Sequence, residues 1–170
     1  VQISKATVRI TINGTDVSVE LRGLKAKVDV PGMVRGEGQL QSRPDGFGAS
    51  LDLQIIPAKV KAWATLVLRS GMTHLEGGVR FATGIPLGST GLGIYGFVGR
   101  FVTNGERDLT GLSTDDLVER EVAWYRRDAL SKYSFRQGQH AIGLGAIVGT
   151  LPDAAFTFNA TGMLAVGFPD

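Results

Sequence analysis

Residues Gln139–Phe168 read QHAIGLGAIVGTLPDAAFTFNATGMLAVGF, and the predicted fold is organised around this stretch. Two apolar, glycine-punctuated runs, Gln139–Thr150 and Ala154–Val166, are joined by Thr150–Asp153. Proline and aspartate in the joining segment indicate a turn, and short apolar runs between turns are typical of buried strands. The stretch is therefore interpreted as the closing hairpin of a β meander, buried on both faces.

The chain before this hairpin alternates apolar and polar residues with the period of two that a half-buried strand requires. In residues 2–21, two alternating runs are separated by Asn13-Gly14, the strongest short signal for a hairpin turn. Arg22-Gly23 is expected to interrupt the pattern. The later alternating runs, separated by short turn sequences, cover residues 24–30, 33–41, 47–56, 60–68 and 73–82. Short connections predict that each strand pairs with its predecessor.

The character of the sequence changes after residue 90. Gly91–Val102 is apolar on both sides, which predicts a strand covered on two faces. Ser113–Tyr133 is the one strong helical stretch, with Ser113 or Thr114 as its N-cap. The residues expected to pack this helix against the sheet are Leu117, Trp124 and Tyr125.

These patterns predict a mainly β fold that occupies residues 1–170 as a single domain. We expect an antiparallel meander of about nine or ten strands, forming a curved sheet, a half-pipe or a barrel. One α-helix, at about residues 113–133, is inserted late and covers the sheet or plugs one end. A chain of 170 residues is long enough for one core, and the absence of cysteine excludes disulfides and thiol chemistry.

Two short motifs match the residue patterns of known functional sites. Gly91-x-Gly93-x-x-Gly96 matches a dinucleotide fingerprint, but that site needs a helix N-terminus after the glycines, and here a strand is predicted. His74-x-Glu76 matches part of a zinc deaminase motif whose cysteines are absent, so His74 is interpreted as an exposed residue on a strand. The sequence thus predicts no catalytic, cofactor-binding or metal-binding residue.

The charged residues give no stronger functional signal. Asp115-Asp116 is interpreted as a pair that complements the dipole at the start of the helix. Four lysines are expected on outward faces, but no aromatic ladder accompanies them, so nucleic acid is not favoured as a partner. These lysines are Lys25, Lys27, Lys59 and Lys61.

The C-terminal part of the chain resembles a known group of proteins. The resemblance rests on GLGIYGFVG at Gly91–Gly99, VAWY at Val122–Tyr125, GLGAIVGTLPD at Gly143–Asp153 and the ending around Phe156–Pro169. It covers about residues 50–170 and points to an uncharacterised bacterial family of very large, Gly-rich β proteins carrying a domain of unknown function. The resemblance implies that the chain is one segment of a longer β assembly, and it implies no catalytic residue and no substrate.

Three functions are compatible with this sequence. The leading hypothesis is a non-enzymatic structural or interaction domain of a larger β assembly, whose open sheet edges pair with other copies or neighbouring β segments. The second is a module that binds an apolar ligand such as a lipid in the curved sheet, where small inward residues leave space. Those small residues are Ala49, Ala62, Ala64 and Gly77.

The third hypothesis is an outer-membrane β-barrel, in which alternating strands turn their apolar set towards lipid and their charged set towards the lumen. The short run Leu24–Val30, the missing aromatic girdles and the long predicted helix do not favour it.

Overall fold

The computed structural model describes residues 2–13, 16–43, 45–112, 116–127, 131–155 and 157–169. Within them lie nine strands and one helix. Their bounds in chain order are β1 Gln2–Asn13, β2 Asp16–Val30, β3 Val34–Arg43, β4 Gly46–Ile55, β5 Val60–Arg69, β6 Met72–Pro86, β7 Leu92–Arg107, α1 Leu117–Tyr125, β8 Tyr133–Thr150 and β9 Asn159–Pro169.

The nine strands form a single sheet in which each strand pairs antiparallel with the next one in the sequence, in the order β1 to β9. The predicted antiparallel meander with one late helix is therefore confirmed. The sheet is open, with β1 at one edge and β9 at the other. Short turns such as Val30–Met33, in which the Met33 N–H donates to the Val30 carbonyl at 3.0 Å, leave each strand no alternative neighbour.

The expected interruption at Arg22-Gly23 does not divide the second strand. β2 runs continuously from Asp16 to Val30, and the pairing with β1 shifts between Thr7↔Gly23 and Val8↔Leu21. Arg22 is the extra residue of this β-bulge, a device that absorbs an irregularity without ending a strand. The sequence signal was real, but its structural consequence is a bulge.

Cross-strand partners in an antiparallel sheet point to the same side, so the register defines two faces of different chemistry. One side, the convex face, includes an apolar row that crosses eight strands from β2 to β9. Its members are Leu24, Leu40, Ala49, Leu66, Leu75, Phe101, Ile142 and Val166. The neighbouring row lies on the other side, the concave face, and consists of Lys25, Gln39, Ser50, Thr65, Glu76, Arg100, Gly143 and Ala165.

The direction of the curve follows from contacts between strands that are not neighbours. Trp63 of β5 packs against a cluster that includes Val98 of β7 and Ile147 of β8. Trp63 and Val98 lie on strands two apart, and both approach the same point above Gly78 on the strand between them. Side chains of such strands come together on the inside of a bend. The side that carries Trp63 is therefore the inside of the curve.

Glycines on the concave face make this bend possible. A Cβ at Gly78 would lie 3.1 Å from Val98 Cγ1 and 3.2 Å from Trp63 Cε2. A Cβ at Gly145 would lie 2.8 Å from Val98 Cγ2. The missing side chains thus leave the room that Trp63 and Val98 occupy, in agreement with the use of glycine where strands approach closely.

The helix is shorter than the sequence predicts. α1 comprises nine residues, and Asp116 is its N-cap, with a side chain that accepts hydrogen bonds from Val118 N at 2.7 Å and Glu119 N at 3.3 Å. The predicted caps Ser113 and Thr114 lie outside the described residues.

Of the three predicted packing residues of the helix, only Trp124 is buried. Leu117 is 63% exposed and Tyr125 41% exposed, so the prediction is wrong for these two. The physical reason is length: a helix of fewer than three turns touches the sheet mainly through one large side chain. Trp124 provides that contact by packing with Met72, Val102 and Tyr133.

The expectation that the last strands are buried on both faces is also wrong. On the convex side of β7, Phe97 is 46% exposed, and Leu144 of β8 and Leu164 of β9 are 70% and 77% exposed. The concave sides of β7 and β8 are covered by α1 and by the bend of the sheet, whereas on β9 only Met163 is half-buried. Apolar residues on both faces of these strands therefore do not signify two covering layers within the described part of the chain.

We expect Gly145→Ala to destabilise the fold, because the new methyl group would meet the Gly162 carbonyl, Met163 Cα and Val98 Cγ2. Overpacking of this kind costs about 1–3 kcal/mol. Gly162→Ala is the matched control on the adjacent strand, since its Cβ would meet nothing within 4 Å. Equilibrium urea unfolding followed by tryptophan fluorescence measures both, and equal stability of the two variants would contradict this account of the bend.

Candidate functional site

A buried cluster of charged side chains lies on the concave face beneath the helix segment. His74 and Glu76 come from β6, Arg100 from β7, and Lys132 directly precedes β8. Period-two alternation places His74 and Glu76 on the same side of β6, and the register makes Glu76 and Arg100 direct cross-strand partners. We call these four residues the Glu76 cluster.

Glu76 is the centre of this cluster. Its Oε2 accepts a hydrogen bond from Arg100 Nε at 2.8 Å and lies 2.6 Å from Arg100 Nη2. Lys132 Nζ lies 3.3 Å from Oε1 and 3.4 Å from Oε2, and His74 Nε2 lies 3.4 Å from Oε2. One carboxylate therefore joins β6 to β7 and to the segment between α1 and β8.

Two aromatic rings close the cluster off from solvent. Trp124 of α1 donates its indole N–H to the Lys132 carbonyl at 2.9 Å, and its ring packs edge-on against Tyr133 with centroids 5.6 Å apart. Tyr133 in turn lies 4.9 Å from the His74 ring. The Arg100 guanidinium lies 5.0 Å from the centroid of the Trp124 ring, within the range of a cation–π contact.

The arrangement is suited to holding elements together. Glu76, Arg100 and Lys132 are each less than a tenth exposed, and His74 is fully buried. A buried ion pair offsets its desolvation only when the geometry is good and further hydrogen bonds are made, as they are here. The Glu76 carboxylate accepts hydrogen bonds from both Arg100 and Lys132, and Trp124 covers the group, so the cluster fixes the helix segment to the sheet.

A second set of polar contacts fixes the loop between β7 and α1. Arg127 Nη1 donates to the Asp108 carbonyl at 2.9 Å, and Nη2 donates to the Thr110 carbonyl. The Thr110 N–H donates to Asp108 Oδ1 at 2.9 Å, and this hydrogen bond is the main reason that the pKa of Asp108 is lowered. The chain entering the helix is thereby bound to the chain leaving it.

Two cavities open on the concave side. The first, of about 900 Å³, lies between α1 and strands β7 to β9, and Arg100, Trp124, Tyr133 and Met163 are among its lining residues. The second, of about 520 Å³, is lined by Trp63 and by charged residues of several strands. These charged residues are Lys27, Arg35, Glu37, Asp52, Lys61 and Arg80. Both cavities are partly polar, which separates them from the apolar convex side.

The structure places several sequence motifs. Gly93 and Gly96 lie within β7, which continues as a strand to Arg107, so the strand predicted after these glycines is confirmed. Gly143–Gly149 likewise lies within β8. The sequence-based interpretation of His74 as exposed is wrong, since this side chain is fully buried. It lies on the same side of β6 as Glu76, and its Nε2 is 3.4 Å from Glu76 Oε2 within the cluster.

The lysines and the small residues lie on different faces. Lys25 shares the concave face with Glu37, which it approaches to 3.4 Å, while Lys59 occupies the β4–β5 turn with a φ of 51°. The residues expected to leave space inside the curve lie instead on the convex face. They are Ala49, Ala62, Ala64 and Gly77, whose cross-strand partners include Leu66, Val79 and Leu51.

The Glu76 cluster was missed by reasoning from the sequence, although a signal for it exists. Arg100 is the only charged residue in the apolar run Gly91–Val102. A lone charge within a buried strand needs a partner, because an unpaired buried charge is costly. The sequence cannot name that partner, since Glu76 and Lys132 lie far from Arg100 along the chain.

In the part of the chain that the structure describes, no group of three or more His, Cys, Asp or Glu residues is arranged to hold a metal ion. Among the same residues, no helix is both long enough and apolar enough to cross a membrane. No protein-family model, curated protein or solved structure matches the sequence or fold.

Glu76→Gln is expected to destabilise the protein by about 3–5 kcal/mol, because Arg100 and Lys132 would stay buried without an anion. The matched control is Glu37→Gln, which removes half-exposed pairs with Lys25 and Lys27 and should cost less than about 1 kcal/mol. Urea unfolding of the variants measures the difference. Similar losses in the two variants would show that the cluster does not hold the fold.

Proposed function

We propose that the chain is a non-enzymatic structural module that extends a β-sheet wall by strand addition at its edges. The observation that carries this proposal is a nine-stranded meander whose first and last strands each have one partner among the described residues. Edge strands present unpaired N–H and C=O groups and are ready templates for another strand.

The composition of β9 supports this role. Asn159–Pro169 pairs with β8 over its whole length, and its opposite side forms the sheet edge. Sheet proteins usually protect such edges with charged residues, bulges or very short strands. β9 has eleven residues and no charged one, and Leu164 and Val166 are 77% and 54% exposed. An edge of this kind favours pairing.

The state of the charged residues supports a role without catalysis. A catalytic acid or base must reach a substrate atom at hydrogen-bonding distance. In the Glu76 cluster the carboxylate is engaged by Arg100 and Lys132, and Trp124 and Tyr133 cover the group. The most conspicuous ionisable cluster of the described chain thus holds the helix segment and the strands together.

Cross-linking between copies tests the proposal that the sheet edges pair. Because the sequence contains no cysteine, each introduced cysteine is the single site of reaction. Ala6→Cys marks β1 and Val166→Cys marks β9, and both residues lie on the convex face. We expect an equal mixture of these two single-cysteine proteins, treated with a short bis-maleimide, to give a covalent dimer containing both. Because β1 and β9 would lie beside each other, the yield should exceed that of the control at least severalfold.

The control is Ser50→Cys, which lies on β4 in the middle of the sheet and far from either edge. Denaturing gel electrophoresis and mass spectrometry quantify the dimers. Equal yields from edge and central cysteines, together with a monomeric mass by light scattering, would contradict strand addition between copies.

A further inference from the structure

The convex face has a composition unlike that of an ordinary surface. Between the row that contains Thr73 and the level of the β4–β5 turn, from Leu24 on β2 to Phe168 on β9, none of the described side chains that the register places on this face is charged, and Glu106 of β7 lies beyond that row. Its large exposed residues include Leu51, Leu75, Phe97, Phe101, Ile142, Leu144, Leu164, Val166 and Phe168. Soluble monomers rarely expose a continuous apolar patch of more than a few hundred Å².

The length of this apolar surface along the strand direction is well defined on the central strands. Outward residues are apolar throughout Phe47–Ile55 on β4 and Val60–Leu68 on β5. Each row spans nine residues, which at a rise of about 3.4 Å corresponds to about 27 Å. A strand that crosses the hydrocarbon layer of a bilayer at a tilt of about 45° needs about 9–11 residues, so these rows are of matching length.

A polar row bounds the surface at one end. Thr73, Thr103 and His140 are consecutive cross-strand partners on the convex face, next to the apolar row that contains Leu75 and Phe101. At the opposite end, the β4–β5 turn carries Lys59. The apolar surface therefore ends in groups that can reach water, as a surface facing hydrocarbon requires.

The backbone meets the second requirement of a hydrocarbon environment. Polar main-chain groups must find partners within the protein, because lipid offers none. Strands β2 to β8 are each paired on both sides. The two edge strands are the exception, and their pairing is the role proposed above.

Curvature decides between lipid and a second copy of the chain as the occupant. Two convex surfaces of the same shape touch only along a narrow strip and leave most of the apolar area uncovered. Fluid acyl chains conform to a convex surface. The concave side, with Lys27, Glu37 and Asp52 around its cavity, would remain away from the hydrocarbon.

We propose that the convex face is a bilayer-facing surface, in contact with phospholipid acyl chains across the hydrocarbon layer. This goes beyond the structural role, which concerns the edges of the sheet. It rests on that role in one respect, the pairing of β1 and β9 within the membrane.

Flotation with vesicles of phosphatidylcholine tests the proposal, because this neutral lipid removes electrostatic attraction as a cause of binding. We expect the refolded 170-residue protein to float with the vesicles and to stay bound in high salt. Leu51→Lys, near the middle of the apolar row of β4, should lower the bound-to-free ratio at least about tenfold, since lysine on a lipid-facing strand is strongly disfavoured.

Ser50→Lys is the matched control, because the adjacent residue points to the concave side. It should leave flotation within about twofold of the parent protein. A measurement without substitutions guards against misfolded variants: a photoactivatable acyl chain in the vesicles should label peptides at convex residues such as Leu144 and Leu164 of the parent chain.

The opposite results would overturn the proposal. Folded protein that remains with the aqueous fraction, equal binding of the two lysine variants, or labelling confined to concave residues would each exclude lipid contact. A loss of dimer mass in vesicle-free buffer on Leu51→Lys alone would assign the face to a second copy. Failure to float with the β1–β9 cross-link intact contradicts only this inference, whereas flotation without the cross-link contradicts only the edge proposal.

Discussion

The two-residue repeat of the β-strand is the constraint on which this structure depends. Because the register is continuous from β2 to β9, apolar and polar residues that alternate along each strand become rows across the whole sheet. A slip of one residue would move leucines to the inside and lysines to the outside of the curve. The short turns of the meander prevent that slip, because the length of each turn fixes the register of a strand relative to the preceding one.

The bend of the sheet and the Glu76 cluster follow from the concave row. Glycine at positions 78 and 145 lets Trp63 and Val98 approach across the inside of the curve. Farther along the same face, Glu76 is the cross-strand partner of Arg100, and it forms an ion pair with Lys132 from the segment after the helix. The cluster thereby connects the helical insertion, which covers little area, to strands that are distant from it in sequence.

The strands could be predicted from the sequence because they depend on local alternation and turn residues. The helix was overestimated, since helical propensity alone does not show where a chain leaves the helix to rejoin a sheet; Lys132 and Tyr133 belong to that return. The covered face was also assigned incorrectly. Apolar alternation shows that two faces differ, but it does not show which one is inside the curve, and the interior here carries Glu76 and Arg100.

This distinction changes how the apolar residues are interpreted functionally. Small residues such as Ala62 and Ala64 suggested an apolar hollow, yet they lie on the outside of the sheet beside exposed leucines. An uncovered apolar exterior around an interior that holds a buried charged cluster beside its apolar residues differs from the usual arrangement of a soluble β protein. The chemistry of the faces, together with the open edges, supports the proposal of a wall that separates a polar side from an apolar one.

Spin-label accessibility along β4 tests this two-sided character most directly. With one label at a time at residues 49–54 of the protein in vesicles, contact with apolar oxygen should peak at Ala49, Leu51 and Leu53. Contact with a water-soluble nickel chelate should peak at the intervening residues, Ser50, Asp52 and Gln54. Absence of the two-residue period, or the opposite phase, would contradict the account.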